Sequence, residues 1–281
     1  MCAQPVCAQP VCAQPVRALS AGAQAAHALS ADAAPPSVRL LGLDFADLDT
    51  PAAAALIAQQ PAAVPFRYVV TPNADHLARL ARHPGLASAY QDAWLRLLDS
   101  RVVARAARLL GLAAPKVSPG SDLTAELLGT HLMPNEPVTI IGLRPAWLPS
   151  LARRYGVTHV AHHDPSMRFE HDAAAFHTAV EFVIAHPARF IFLAVGSPRQ
   201  ERLAAAIAAT GQASGIGLCI GASLDFLTGA VPRAPAWLQR SGLEWLHRLA
   251  SDPRRLARRY LLEDPAVFAL LLREWRGGPT Q

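Results

Sequence analysis

Four groups of polar residues and glycines stand directly after short apolar runs, at positions where chemistry could be carried out. The first is Thr71-Pro72-Asn73-Ala74-Asp75-His76, and the second is Asp99-Ser100-Arg101. The third is Gly196-Ser197-Pro198-Arg199-Gln200-Glu201, and the fourth runs from Gly221 through Asp225 to Gly229. Together they offer a carboxylate that could take a proton from a hydroxyl, side chains for a polar ligand, and helix starts that suit a phosphate.

The first two groups have a structural as well as a functional explanation. Thr71 or Asn73 could cap the helix that follows, whereas the density of hydrogen-bonding side chains favours a polar-ligand site. Asp99 could be a helix cap with Arg101 and Arg105 as surface charges, or a general base in a cleft. The residue types leave these alternatives open.

The third group predicts a helix start. Ser197 is the expected N-cap and Pro198 the expected first helical residue, which would turn free N–H groups toward a phosphate. A plain strand-to-helix turn explains these two residues but not the cluster Arg199-Gln200-Glu201. In the fourth group, Gly221 permits close approach of a ligand or tight packing of a helix on a strand.

The elements that must position these groups are short strands alternating with longer helical stretches. The expected strands are Val38–Leu43, Phe66–Val70, Trp94–Leu98, Val138–Gly142, Val157–Ala161, Phe190–Val195 and Ile216–Gly221. Buried strands alternating with helices indicate an α/β fold with a parallel sheet, which binds ligands outside the carboxyl ends of its strands. Because His131–Pro137 is linker-like, we expect a Rossmann-like core in two halves, followed by a C-terminal helical appendage.

Composition divides the chain into three regions. Residues 1–36, with Cys-Ala-Gln-Pro-Val repeated three times, are expected to be a disordered low-complexity leader, and residues 37–232 the core. Residues 233–281 form an Arg-rich appendage, with nine arginines against five acidic residues, a net charge of +4. Since the whole chain carries +5, the remainder carries only +1, and an anionic partner is expected at the appendage.

Several classes of protein are excluded. Hydrophobic residues make up 52% and charged residues 17%, which excludes an intrinsically disordered protein, and no apolar run reaches the roughly 18 residues of a spanning helix. The core is too weakly basic for nucleic acid. The glycine fingerprint of a dehydrogenase and the cysteine spacing of a metal site are both missing, so we expect no cofactor and no metal.

The four groups, in this order, resemble the WecG/TagA/CpsF family of bacterial glycosyltransferases (glycosyltransferase family 26). The similarity covers about Val38 to Tyr260. Its most specific part holds the Asp225-Phe226 turn, Arg233-Ala234-Pro235-x-Trp237, Gly242-Leu243-Glu244-Trp245-Leu246-x-Arg248-Leu249, Asp252-Pro253-x-Arg255 and Arg259-Tyr260.

The resemblance implies an inverting transfer of glucose, N-acetylmannosamine or a related sugar from a UDP-sugar to a polyprenyl-diphosphate-linked saccharide, in exopolysaccharide or other cell-surface polymer synthesis. It places the catalytic base at Asp99 and a threonine beside the reacting sugar at Thr71. We expect the donor sugar and its nucleotide to be bound by Asn73, Asp75, His76, Gly196, Pro198, Gln200, Glu201, Gly221 and Asp225. We expect the acceptor's phosphate groups and the membrane surface to contact Arg233, Arg248, Arg255 and Arg259.

The same resemblance implies a cytoplasmic protein, peripheral on the inner face of the cell membrane. Its partners would be the UDP-sugar donor, the lipid-diphosphate-linked acceptor and the membrane surface. The family usually has Gly where this chain has Ser100, so a different turn is expected there. The alternative is a non-catalytic nucleotide- or lipid-binding protein of the same fold, in which Ser100 spoils the turn beside Asp99. The oligomeric state stays open, and a homo-oligomer whose protomers displace the appendage is compatible with the sequence.

Overall fold

The structure, a computed structural model, describes residues 34–235, 238, 244–251, 253–258 and 263–277. The expected leader therefore lies outside the described residues up to position 33. Trp237, Arg259 and Tyr260 of the tail motifs also lie outside them.

A six-stranded parallel sheet forms the centre of the fold, and a separate antiparallel pair precedes it. The antiparallel strands are β1 (Ser37–Leu40) and β2 (Leu43–Ala46); the parallel strands are β3 (Arg67–Val70), β4 (Leu95–Arg96), β5 (Val138–Gly142), β6 (Val160–His163), β7 (Phe190–Ala194) and β8 (Ile216–Cys219). Their order across the sheet is β4-β3-β8-β7-β5-β6. The expected Rossmann-like α/β fold is confirmed.

Helices connect the strands of the sheet and continue beyond it. They are α1 (Thr50–Ala58), α2 (Ala74–Arg82), α3 (Ala87–Gln91), α4 (Arg101–Leu109), α5 (Gly120–Glu126), α6 (Leu148–Tyr155), α7 (Ala173–Ala185), α8 (Arg199–Thr210), α9 (Ser223–Thr228), α10 (Glu244–Ser251), α11 (Pro253–Arg258) and α12 (Ala266–Gly277). Short polar side chains begin several of them: Asp49 caps α1 and Asp172 caps α7, each accepting from backbone N–H groups of the first turn.

The central strands β7 and β8 carry no charged residue, and the sheet is buried on both faces there. Alternate residues belong to two separate buried clusters: Ile191 and Leu193 of β7 face one cluster, and Phe190 and Phe192 face the other. All four side chains are fully buried. Such double burial produces the unbroken hydrophobic runs from which the parallel sheet was predicted.

The first expected strand, Val38–Leu43, is wrong as a single element. The chain turns back at Leu41 and Gly42, both at positive φ (51° and 78°), so that β1 and β2 form a hairpin outside the parallel sheet. A leucine in this backbone region is uncommon, and its side chain type does not signal the turn.

The two expected halves share one continuous sheet. Strand β8, from the second half, lies between β3 of the first half and β7, and pairs with both. The linker-like segment is also tied to the core: Arg189 makes a bidentate ion pair with Glu136, at 2.6 and 2.7 Å, and donates to the carbonyl oxygens of Ala58 and His131.

The last helix packs against the core rather than standing apart from it. Val267 and Leu271 of α12 are fully buried, and the helix contacts α2 and α4. Glu274 accepts a hydrogen bond at Oε2 from the backbone N–H of Leu41 at 2.7 Å. Helix α12 therefore closes the core on the side of the N-terminal hairpin.

Candidate active site

The four polar groups lie side by side at one edge of the sheet. The strands that precede them, β4, β3, β8 and β7, are neighbours in this order. Because all are parallel, their carboxyl ends meet at the same edge, with Asp99, Thr71, Gly221 and Gly196 following them in turn. This is the edge at which open α/β sheets bind ligands.

Thr71 and Asp99 share one neighbour, Gly120, the first residue of α5. Thr71 is 5% exposed, and its hydroxyl donates to the carbonyl oxygen of Cys219 at 3.2 Å. The half-buried Asp99 accepts at Oδ2 from the backbone N–H of Gly120 at 3.2 Å. A Cβ atom on Gly120 would lie 2.9 Å from Thr71 Oγ1. The two side chains expected at the reaction centre are thus packed around the same residue.

Ser100 occupies an ordinary extended conformation, with φ −155° and ψ 104°. Its hydroxyl accepts from the N–H of Val103 at 3.2 Å, so Ser100, and not Asp99, caps α4. The position does not require a glycine, and the cap of α4 is supplied by the serine.

The first group divides between the strand end and the protein interior. Asn73 caps α2 by accepting from the N–H of His76 at 3.3 Å. Asp75, 2% exposed, forms an ion pair with Arg79 one helical turn later. Arg79 in turn donates to the Ser197 hydroxyl at 3.0 Å. Asp75 and His76 are both buried, and the pair of Asp75 with Arg79 links α2 to the turn after β7.

The expected capping of α8 by Ser197 is wrong. The helix begins at Arg199 with Pro198 at the N-cap position, and no side chain caps it. The Ser197 hydroxyl is engaged instead by Arg79 and, at 3.2 Å, by the Tyr90 hydroxyl, and the Ser197–Pro198 peptide bond is cis. The N–H of Gln200 donates to the Gly196 carbonyl oxygen at 3.0 Å, so this amide does not face a ligand.

Gln200 and Glu201 are buried side chains that support the turn after β8. Both are 1% exposed. Gln200 donates from Nε2 to Glu201 Oε1 at 2.9 Å and accepts at Oε1 from the N–H of Gly221 at 2.8 Å. Burial raises the pKa of the Glu201 carboxyl because the charged form loses hydration, and the hydrogen bond from Gln200 opposes this rise. Their contacts hold the turn after β8 in place.

The turn after β8 leaves open space above the sheet edge. Gly221 has φ +56°, and no described atom lies within 4 Å of the position that its Cβ would take. Asp225 is half-buried; burial raises the pKa of its carboxyl, Arg144 acts to lower it, and Asp164 raises it further. Arg144 follows β5 and was not singled out from the sequence, although its position directly after a predicted strand marked it.

Arg233, at the start of the tail, reaches the first turn of α5. Its Nη2 donates to the Ser121 hydroxyl at 2.9 Å and forms an ion pair with Asp122. Ser121 and Asp122 were not predicted as site residues. The side chains of Arg248 and Arg255, and the whole of Arg259, lie outside the described residues.

Among the residues that the structure describes, no three His, Cys, Asp or Glu side chains converge so that they could hold a metal ion. None of the helices in those ranges combines the length and the apolar character needed to cross a membrane.

An open parallel sheet whose strand-end loops gather carboxylate, hydroxyl and amide groups defines an α/β protein with a polar-ligand site at its carboxyl edge. The Glycosyl transferase WecG/TagA/CpsF family matches residues 38–281. The chain belongs to this family. It is a glycosyltransferase of cell-surface polymer synthesis, and a sugar donor and a sugar acceptor are its partners.

Proposed function

We propose that the protein transfers a sugar from a UDP-sugar to a polyprenyl-diphosphate-linked saccharide with inversion at the anomeric carbon. The observation that carries the proposal is the pairing of Thr71 and Asp99 around Gly120 at the carboxyl edge of the sheet. Inversion needs one direct displacement, in which a base takes the proton of the attacking hydroxyl while UDP departs.

Asp99 is the proposed base. Its carboxylate is half-buried and oriented by the Gly120 N–H at the carboxyl edge of the sheet, and we propose that it takes the proton of the acceptor hydroxyl. Thr71, on the adjacent strand end, is proposed to lie beside the reacting sugar, and Asn73 to position the donor.

Two sets of residues would form the nucleotide site, one by direct contact and one by holding the turns in place. Gly196, Pro198 and Gly221 bring backbone close to the ligand, and Asp225 offers a carboxylate at the same edge. Asp75, His76, Gln200 and Glu201 are buried and would act by holding these turns. We propose that Arg248, Arg255 and Arg259 contact the acceptor diphosphate and an anionic membrane at the inner face of the cell membrane, whereas Arg233 is engaged by Ser121 and Asp122.

The non-catalytic alternative loses its main argument. It depended on Ser100 disturbing the turn beside the base, whereas Ser100 adopts an unstrained conformation and caps α4. Catalysis is therefore favoured over nucleotide or lipid binding alone.

The test is release of UDP by the purified protein from a panel of UDP-sugars, with a short-chain lipid-diphosphate-linked sugar as acceptor, with and without EDTA. Release that needs the acceptor and one particular donor supports the proposal and names the sugar; persistence in EDTA supports a metal-independent reaction. Binding of UDP without release from any donor would favour the non-catalytic alternative.

Replacing Asp99 with Asn tests the base directly. The amide oxygen can still accept from the Gly120 N–H, but it cannot take a proton, so kcat should fall by about 10²- to 10⁴-fold while UDP binding is kept. Asp44→Asn, in the exposed pair with Arg39, is the matched control and should behave as wild type. Wild-type turnover in Asp99→Asn would remove Asp99 as the base.

A further inference from the structure

We infer that Arg233 is a positioning residue, which ties the start of the C-terminal segment to the residues that orient Asp99. The inference rests on the proposed function, since it concerns the carboxylate that we propose as the base. It adds a role for Arg233 that is distinct from contact with a phosphate or a membrane.

The guanidinium group of Arg233 is already engaged by the protein. Its Nη2 donates to Ser121 Oγ at 2.9 Å and pairs with Asp122 Oδ1, and these partners are 111 and 112 positions away in the chain. The Arg233 side chain is 24% exposed and that of Asp122 31%, so the pair is partly shielded from water. The next residue, Ala234, is buried at 4% exposure. The tail is therefore anchored at its first residues.

The residues that hold Arg233 lie on the same helical turn as Gly120, which contacts the proposed base Asp99. Ser121 and Asp122 directly follow Gly120, whose N–H donates to Asp99 Oδ2 at 3.2 Å. Gly120 also packs against the Thr71 hydroxyl. Any displacement of this turn moves the amide that orients Asp99 and the surface that supports Thr71.

The charges around Asp122 make Arg233 the stronger of two partners. Asp122 Oδ2 lies 4.0 Å from Arg101 Nη2, at the limit of an ion pair, whereas Oδ1 is in direct contact with Arg233. The Nε atom of Arg233 is buried and makes no hydrogen bond to any atom that the structure describes, a cost that the ion pair offsets. Loss of Arg233 leaves Asp122 with the weaker ion-pair contact, that to Arg101, among the residues that the structure describes.

The kinetics of Arg233 and Asp122 variants distinguish two roles for Arg233, that of a phosphate ligand and that of a positioning residue. If Arg233 positions the turn, Arg233→Ala and Asp122→Ala should each lower kcat by about 10- to 100-fold with little change in the KM of either substrate. The double variant should be no worse than either single one, because both remove the same contact. The exchanged pair Arg233→Asp with Asp122→Arg should recover part of the activity.

The control is Arg39→Ala, which removes another arginine–aspartate pair, in the hairpin of β1 and β2, and should leave kcat unchanged. A raised acceptor KM in Arg233→Ala, with unchanged kinetics in Asp122→Ala, would overturn the inference and make Arg233 a phosphate ligand. Additive losses in the double variant, without recovery in the exchanged pair, would overturn it as well.

A readout independent of turnover separates this inference from the proposed function. Hydrogen exchange at the Gly120–Glu126 amides should be faster in both single variants than in wild type, whether or not any UDP-sugar is a substrate. Unchanged exchange in both would overturn the inference. Should an alanine variant fail to fold, Arg233→Lys and Asp122→Asn give the same comparison with smaller changes of volume.

Discussion

One methyl group added at Gly120 is the most direct perturbation of the proposed site. In Gly120→Ala, the new Cβ would lie 2.9 Å from Thr71 Oγ1 and 3.6 Å from Ser223 Oγ, and the first distance is too short for a carbon–oxygen contact. The Thr71 hydroxyl must then rotate away. It would lose its 3.2 Å hydrogen bond to the Cys219 carbonyl oxygen, which is buried.

The size of the effect follows from these contacts. A lost hydrogen bond costs about 0.5–1.5 kcal/mol and overpacking about 1–3 kcal/mol, while replacing a glycine with alanine returns about 0.4–1 kcal/mol through the unfolded chain. We expect the free energy of unfolding to fall by about 0.5–4 kcal/mol. Because Thr71 and the amide that orients Asp99 are both displaced, kcat should fall by about 100-fold.

The assays are urea unfolding and acceptor-dependent release of UDP. Gly129→Ala is the matched control: it also adds a methyl group to a helical glycine, but its nearest neighbour would be Tyr155 Cε1 at an ordinary 3.9 Å. It should be as active as wild type, and more stable by up to about 1 kcal/mol because only the effect on the unfolded chain remains. Wild-type stability and turnover in Gly120→Ala would refute the packing of Thr71 against Gly120 as a determinant of the site.

Three further predictions concern buried groups. The raised pKa of Glu201 means that the native state keeps its proton to higher pH than the unfolded chain, so its contribution to stability is full at low pH and is lost as the pH rises through the native pKa. Urea unfolding across pH should show this fall in wild type and a flatter profile in Glu201→Gln. Burial raises the pKa of the Cys219 thiol, and iodoacetamide followed by mass spectrometry should label it only after unfolding. Arg189→Ala removes the ion pair with Glu136 and the donor to two carbonyl groups. It should lower the free energy of unfolding by about 3 kcal/mol in the same urea assay, against no change in the exposed Arg153→Ala.

The position of the site could be predicted because local signals and the fold agree there. Apolar runs ending in Thr71, Asp99, Gly196 and Gly221 show where buried strands stop, and parallel pairing brings those ends to one edge. Which loops meet was therefore accessible from the sequence. The order of the strands was not, because nothing near β8 indicates that it pairs with β3.

Two roles could not be predicted because residues distant in the chain determine them: that of the Ser197 hydroxyl and that of Asp122. Ser197 has the right type and position for a helix cap, but Arg79 and Tyr90 take its hydroxyl. Gly120 and Asp122 were overlooked since no regular strand precedes them; Val117 makes only an isolated bridge to Leu98. Asp122 acquires its role only in the folded protein, where it pairs with Arg233, more than a hundred positions away in the chain.

The insertion of β8 between β3 and β7 has a consequence for how the chain is made. During synthesis β3 emerges long before the strand that fills its inner side, since 148 positions separate Thr71 from its partner Cys219. At roughly 5–20 residues per second, the wait is on the order of 7 to 30 seconds, during which an apolar strand edge stays unpaired. The hairpin waits longer still, because the carboxylate that binds the Leu41 amide is 233 positions away. Ribosome-bound chains halted before residue 216 should therefore be far more sensitive to protease than the released full-length chain, in which β8 pairs with β3 and β7.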